Sequence, residues 1–398
     1  MLSLPQFPLL RVRHNLRRAP CVKTRLPPTM TAAATATGPS TTGVLLEEVD
    51  TTRNVQQYYG KTLTSSKDLK TSACCSAVPP SARVRSILSA LPDEVLARFY
   101  GCGSPLPLGI EGLTVLDLGS GSGRDCYVAA ALVGASGSVV GVDMTEEQLA
   151  VARAHTQQWA SHLGYSNLRF VHGRMERLHE AGIADESIDL VLSNCVVNLS
   201  PDKRAVLGEV FRVLKYGGEF HFSDVYADRR LAQSAREDPV LVGECLGGAL
   251  YEQDFLRLCR DIGFADPRVL SRAPVAITDE AVSAAVGGAN FSSVTYRLFK
   301  LPAGRLETLC EDYGQYAVYK GTIQGAPHAY ALDDHHILQK GKPFLVCGNT
   351  ASMLGETWLG KHFDIHGDRS VHYGLFPCGP APSADTAAAA CAPGGACC

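Results

Sequence analysis

The chain has 398 residues, 45% of them apolar and 19% charged, which is long enough for two domains with a sizeable core. Its net charge of −3 gives no electrostatic case for nucleic acid or an anionic membrane, and no apolar run approaches the roughly 18 residues of a spanning helix. Fourteen cysteines, spread along the chain with no hydrophobic signal segment, point to a reducing compartment in which thiols serve metal, metalloid or redox chemistry.

Residues 1–45 hold Arg11, Arg13, Arg17, Arg18 and Arg25 among Ser, Thr and Pro, with no acidic residue before Glu47. That composition suits an organellar transit peptide; the plainer alternative is a disordered tail, with translation beginning at Met30. The expected location is cytoplasmic, or plastid or mitochondrial if the leader acts as a transit peptide. A polar helix follows from Val55 to Lys70, then "TSACCSAVPPSARV", then one helix predicted over "VRSILSALPDEVLARFYGCG".

From Leu113 the pattern alternates. "LTVLDLG", "SVVGVDM", "LRFVHG", "IDLVLSN" and "EFHFSDVY" read as strands, with helices between them, one opening near Ser122 and another at Thr145. Short β-branched apolar runs between helices predict a doubly wound α/β domain with a parallel sheet covered on both faces. A helix "EQDFLRLCRDIGF" and a strand "SSVTYRLFK" complete it. The expected organisation is a leader (1–45), a Rossmann-like domain with an N-terminal cap (46–300), a small α+β region (301–378) and a low-complexity tail (379–398) ending in "CAPGGACC".

"LDLGSGSGRD" sets Gly119, Gly121 and Gly123 directly after a strand, where glycines permit a tight turn and close approach to a ligand. Asp143, twenty residues beyond Gly123, ends the second strand and is placed to accept from ribose hydroxyls. A dinucleotide fingerprint would need a glycine where Arg124 stands, so NAD is the weaker reading. The motif resembles motif I of the class I S-adenosylmethionine-dependent methyltransferases. That resemblance implies a cofactor site from Tyr59, Gly119, Ser120, Gly121, Gly123, Arg124, Asp143, Met144, Met175, Glu176 and Asn194, with Met144 against adenine and Glu176 reading its amino group.

In an open α/β sheet the acceptor sits over the carboxyl ends of the strands. The strand there ends in Asn194-Cys195-Val196-Val197, without the Asn/Asp-Pro-Pro-aromatic pattern of many nitrogen methyltransferases. Cys195 is open to three readings: nucleophile, soft-metal ligand or packed apolar residue. Cys245 stands among glycines in "VGECLGGALY"; Cys74, Cys75 and Cys102 lie in the cap. None has zinc-site spacing.

Taken together, "DLKTSACC", "RFYGCG", "LDLGSGSGRDCYV", "LVLSNCVVNLSPDK", "RVLKYGGEFHFSDVY", "GECLGGALY" and "YRLFK" resemble the arsenite methyltransferases over about residues 55–300, and more loosely to Cys378. The resemblance implies catalytic thiols at Cys74, Cys102, Cys195 and Cys245, and arsenic held by Cys195, Cys245 and Cys102. It implies methyl transfer from S-adenosylmethionine to trivalent arsenic, with a disulfide returning two electrons between steps and thioredoxin or glutathione as reductant. The alternatives are methylation of a small organic acceptor and a non-catalytic metalloid-binding protein. A monomer without membrane or nucleic-acid partners is expected. Tyr58, Tyr59 and Tyr100 either lie near the sulfonium for cation–π contact or are ordinary amphipathic-helix residues, Cys126 and Cys259 are read as structural, and His335-His336 as surface.

Overall fold

The computed structural model describes residues 80–99, 101 and 105–378. The leader, the tail, Tyr58, Tyr59, Cys74, Cys75, Tyr100 and Cys102 lie outside them.

Two short helices come first, α1 (Ala82–Leu88) and α2 (Asp93–Ala97). The single helix predicted here is broken at Pro92, which serves as the N-cap of α2, because a proline has no N–H to continue the helical ladder and clashes with the preceding turn. The Ser81 hydroxyl caps α1 by accepting from the Val84 N–H.

Then follow β1 (Thr114–Leu118), α3 (Arg124–Val133), β2 (Ser138–Asp143), α4 (Glu146–Ala154), α5 (Thr156–Leu163), β3 (Leu168–His172), β4 (Ile188–Asn194), α6 (Lys203–Val213) and β5 (Leu214–Ala227). After a cysteine-bearing insertion with α7 (Gln233–Glu237) and α8 (Pro239–Gly243) come β6 (Leu250–Tyr251), α9 (Glu252–Ile262), β7 (Arg268–Val275), α10 (Glu280–Ala285) and β8 (Phe291–Phe299).

The main path of the large sheet is β3-β2-β1-β4-β5-β8-β7. It is parallel from β3 to β5, and antiparallel from β5 to β8 and from β8 to β7. The expected Rossmann-like sheet is present, with a mixed edge. Successive residues of one strand serve opposite cores: Val115, Leu190 and Leu192 pack with Tyr127 and Trp159, whereas Leu116, Leu118 and Val191 pack with Phe220, Phe222 and Phe255. That alternation explains the unbroken apolar runs, since both faces are covered.

Residues beyond Lys300 add β9 (Glu311–Asp312), β10 (Gln315–Tyr319), β11 (Ala329–Ala331), β12 (Ile337–Gln339), β13 (Pro343–Val346), α11 (Gly348–Gly355), β14 (Phe363–His366) and β15 (Gly374–Leu375). They form three small sheets. A buried polar knot joins this region to the large sheet. Arg297 of β8 donates through Nε and Nη2 to the two carboxylate oxygens of Glu219, at 2.7 and 2.9 Å. The Trp358 indole donates to the same carboxylate at 3.0 Å, and Arg297 also donates to the Tyr330 hydroxyl and the Leu332 carbonyl.

His336, read from sequence as surface, is buried at 3% exposure. Its ring nitrogen and backbone N–H meet the Asp333 carboxylate, which also receives Arg268. Acidic neighbours in "LDDHHIL" were a sign of pairing rather than of solvation.

Candidate methyl-transfer site

Strand order reverses between β1 and β4, the place where an open α/β sheet leaves a crevice at its carboxyl end. Leu118 of β1 is in register with Ser193 of β4, so the glycine loop and Asn194-Cys195 emerge side by side. A cavity opens there, lined by the glycine loop, the end of β2, the Met175–Arg177 turn and the end of β4.

Gly119 is where glycine is required: φ is +62°, and a Cβ would stand 2.5 Å from Val196. The Gly121 N–H donates to Asp143 Oδ2 and the Thr145 N–H to Oδ1, each at 2.8 Å. Asp143 thus ties the loop to the start of α4, while burial pushes its carboxyl up.

Ser120, Arg124, Met144, Met175, Glu176 and Asn194 all line the cavity. Gly123 does not; it ends the loop behind it, where a Cβ would strike Phe170. Glu176 is engaged, accepting from the Ser200 hydroxyl at 2.5 Å and from Arg174 Nε at 3.3 Å. The Arg124 guanidinium lies 3.5 Å over the Phe99 ring.

Two acids missed by the sequence reading complete the lining. Asp117 is buried against the Cys126 thiol, and burial, together with the charges of Asp125 and Asp143, holds its carboxyl far above the usual range. Asp125 accepts from the Asn194 side chain at 2.9 Å through Oδ2. The sequence signal was there, since both residues stand in or beside the glycine motif.

The two cysteines expected at the acceptor come next. Cys195 follows β4 and lines the cavity; Cys245 lies in the insertion, and its Sγ donates to the Cys195 carbonyl at 3.2 Å. Both hold left-handed backbone, φ +59° and +61°, and the one other non-glycine residue doing so among those described is Glu186. Such strain persists where the surroundings over-determine it, and it clusters at functional sites. The surroundings here are backbone. A Cβ on Gly248 would fall inside the Asn198 carbonyl group, so insertion and loop touch main chain to main chain.

Cys195 is disulfide-bonded, and none of the other described cysteines is in a disulfide, so its partner lies outside the described residues. Below the pair, the buried Lys203 ammonium donates to the Asn198 and Ser200 carbonyls. Burial lowers its pKa to about 8 against the pull of Asp224, Cys245 and Glu176.

Comparison with known proteins agrees with this geometry. A methyltransferase-domain family model matches residues 110–263. An arsenite methyltransferase of Aquipseudomonas alcaligenes is 57% identical over 81% of this chain and 93% of its own length. The chain belongs to the arsenite methyltransferase family. The mouse arsenite methyltransferase is 43% identical over 78% of this chain and 82% of its own length. The crystal structure of an arsenic(III) S-adenosylmethionine methyltransferase from Chlamydomonas reinhardtii superposes with a TM-score of 0.72 at 60% identity, over 75% of this chain and all of that one.

Does an arsenite methyltransferase site of this kind suit S-adenosylmethionine? Two observations say so. Among the described residues the Ser120 hydroxyl and Asp125 Oδ1 are buried without a hydrogen-bond partner, the latter in an ion pair with Arg124 at 3.7 Å, and both residues face the cavity. Lining acids Asp125, Asp143 and Glu176 outnumber the lining cations Arg98 and Arg124, a balance that favours a ligand with net positive charge. Cys126 and Cys259 are buried in helices α3 and α9, as expected of packing thiols.

Proposed function

We infer that this site transfers methyl groups from S-adenosylmethionine to trivalent arsenic held by Cys195 and Cys245. One observation carries the reading: two strained cysteines, joined by a thiol-to-carbonyl hydrogen bond, stand at the edge of a cavity whose orphaned polar groups suit the methyl donor.

Asp143, through the loop it organises, would hold the ribose; Met144 and Glu176 would flank the adenine; Asp117 and Asp125 would meet the amino-acid ammonium. Bound S-adenosylmethionine supplies a sulfonium methyl, an electrophile for the lone pair of trivalent arsenic. The attacking atom is arsenic itself, so the protein needs no general base at the acceptor. Its task is alignment, which can supply about 7–11 kcal/mol of the barrier reduction. Lys203 sets a cation within electrostatic reach of Cys245, and Leu199, Leu241 and Leu246, buried with the two cysteines, keep water out.

Methylation leaves arsenic formally pentavalent. Two electrons return it to the trivalent state when two thiolates close to a disulfide, and two external thiols then reset that disulfide by exchange. Cys195 in a disulfide fits one stage of such a cycle, with Cys74, Cys75 and Cys102 as candidate partners and thioredoxin or glutathione as the external thiol.

Arsenic speciation over time tests the reading. Wild type with arsenite, cofactor and thiol is expected to give methylated arsenic, Cys195→Ser and Cys245→Ser none, and Cys74→Ser or Cys102→Ser a defect in reduction or in later methylations. Product formation by both Cys195→Ser and Cys245→Ser would instead favour a small organic acceptor.

A further inference from the structure

Cys310, Cys347 and Cys378 play no part in the methyl-transfer site, yet their sulfur atoms all lie within 4.8 Å of one another. They are 37 and 31 residues apart in sequence, and two separate features bring them together. Cys310 immediately precedes β9, and the β9–β15 pairing extends through the Phe376 N–H to the Cys310 carbonyl, setting Cys378 beside it. Cys347 is the N-cap of α11, its sulfur accepting from the Thr350 N–H at 3.5 Å.

The surroundings prepare one thiolate. The Cys347 sulfur also meets the Thr350 hydroxyl at 3.3 Å and Arg268 Nη2 at 4.0 Å. Arg268 and Thr350 hold the Cys347 thiol below its ordinary pKa despite burial, while burial raises the thiols of Cys310 and Cys378.

We propose that Cys310, Cys347 and Cys378 form a second, trithiolate site that binds inorganic trivalent arsenic outside the methyl-transfer cavity. None of the three lines that cavity, and Arg268 stands on β7, three strands from the β4 that ends beside Cys195, about 14 Å at the usual inter-strand spacing. Sulfurs about 2.3 Å from one soft ion lie roughly 3.7 Å apart at tetrahedral angles and nearer 3.4 Å at the sharper angles of pyramidal arsenic, so side-chain movement of about 1–1.5 Å closes the set. No fourth His, Cys, Asp or Glu ligand joins the group among the described residues. A tetrahedral zinc site therefore lacks a donor, whereas trivalent arsenic takes three thiolates and keeps its lone pair.

Binding involves no redox change. Three arsenic–oxygen bonds break, three arsenic–sulfur bonds form, and each thiol proton leaves with a departing hydroxide as water. The complex is neutral, which suits a pocket where the Arg268 charge is already met by Asp266 and Asp333. The site also selects: each methyl on arsenic removes one exchangeable position, so the trithiolate holds the unmethylated substrate and releases methylated products. The choice of arsenic as ligand rests on the function proposed above; the coordination argument does not.

The test uses the full chain with every cysteine replaced by serine except these three and the helix-buried Cys126 and Cys259. After incubation with arsenite under reducing conditions and desalting, one arsenic per chain with a three-sulfur shell by X-ray absorption is expected. Cys347→Ser in that background should lower retention at least tenfold, as should replacing arsenite by monomethylarsonous acid, with circular dichroism confirming the fold. No retained arsenic, retention indifferent to Cys347→Ser, or zinc that arsenite does not displace would each overturn the proposal. In the otherwise native chain, the Cys310→Ser/Cys347→Ser/Cys378→Ser variant should keep first methylation at saturating arsenite. Arsenic bound at the trio without methylation by wild type would instead count against the methyl-transfer reading alone.

Discussion

The Cys245 thiol donates to the backbone carbonyl of Cys195 at 3.2 Å, and both residues hold left-handed backbone. The contact fixes the relative position of two thiols that lie 50 residues apart. Removing the Cys245 sulfur should abolish arsenic placement while sparing the cofactor, because Cys245 lies outside the cavity lining. Cys245→Ser is expected to lower kcat/KM at least ~100-fold with S-adenosylmethionine affinity held within about threefold, read by steady-state kinetics and equilibrium dialysis.

Gly119→Ala and Gly121→Ala should differ. Both sites have positive φ, a strain of about 1–2 kcal/mol for alanine. Only at Gly119 does the new methyl meet Val196, whereas Gly121 has open space. Gly119→Ala is expected to lose more stability than Gly121→Ala by urea unfolding, and to weaken cofactor binding at least ~10-fold by displacing the loop beside Cys195.

His221, in the middle of β5, should make the fold acid-sensitive. Burial, reinforced by the Arg297 charge and opposed by Glu219, lowers its pKa to about 4. The folded value is below that of a free imidazole, so the ring's contribution is complete above about pH 6.5 and is lost as pH falls through about 4. The difference is about 3 kcal/mol. Thermal unfolding of His221→Leu between pH 4 and 7 should show a flatter pH dependence than wild type; an unchanged slope would refute the assignment.

Arg297→Met should be costly because it strands Glu219, fully buried and still receiving Trp358. Breaking a buried pair from one side costs about 3–5 kcal/mol. The double variant with Glu219→Gln should recover part of that loss, since no uncompensated charge then remains. Chemical denaturation monitored by tryptophan fluorescence reads both.

Much of the fold was legible because buried parallel strands leave β-branched apolar runs and because proline and glycine mark their ends. Gly119, Gly121 and Asp143 were legible for the same reason: local backbone demands confine the choice of residue. The mixed edge was only partly so. "SSVTYRLFK" was recognisable, but β7, "RVLSRAPV", is an edge strand whose alternation is broken by arginines that pair with Glu252, Asp266 and Asp333. What sequence could not show was convergence. Cys195 and Cys245 became a pair in the sequence reading through resemblance, and Cys310, Cys347 and Cys378 carry no spacing signature, because a strand pairing and a helix cap bring them together in space.

The main-chain contact of Gly248 with Asn198 sets the distance between the two cysteine-bearing segments by peptide dimensions instead of by side-chain packing. Mutational drift in the surrounding leucines and valines can alter stability without widening that gap. The two sulfurs therefore behave as the jaws of a caliper, and a larger congener such as antimony should be discriminated by radius, in its rate of methylation more than in its capture.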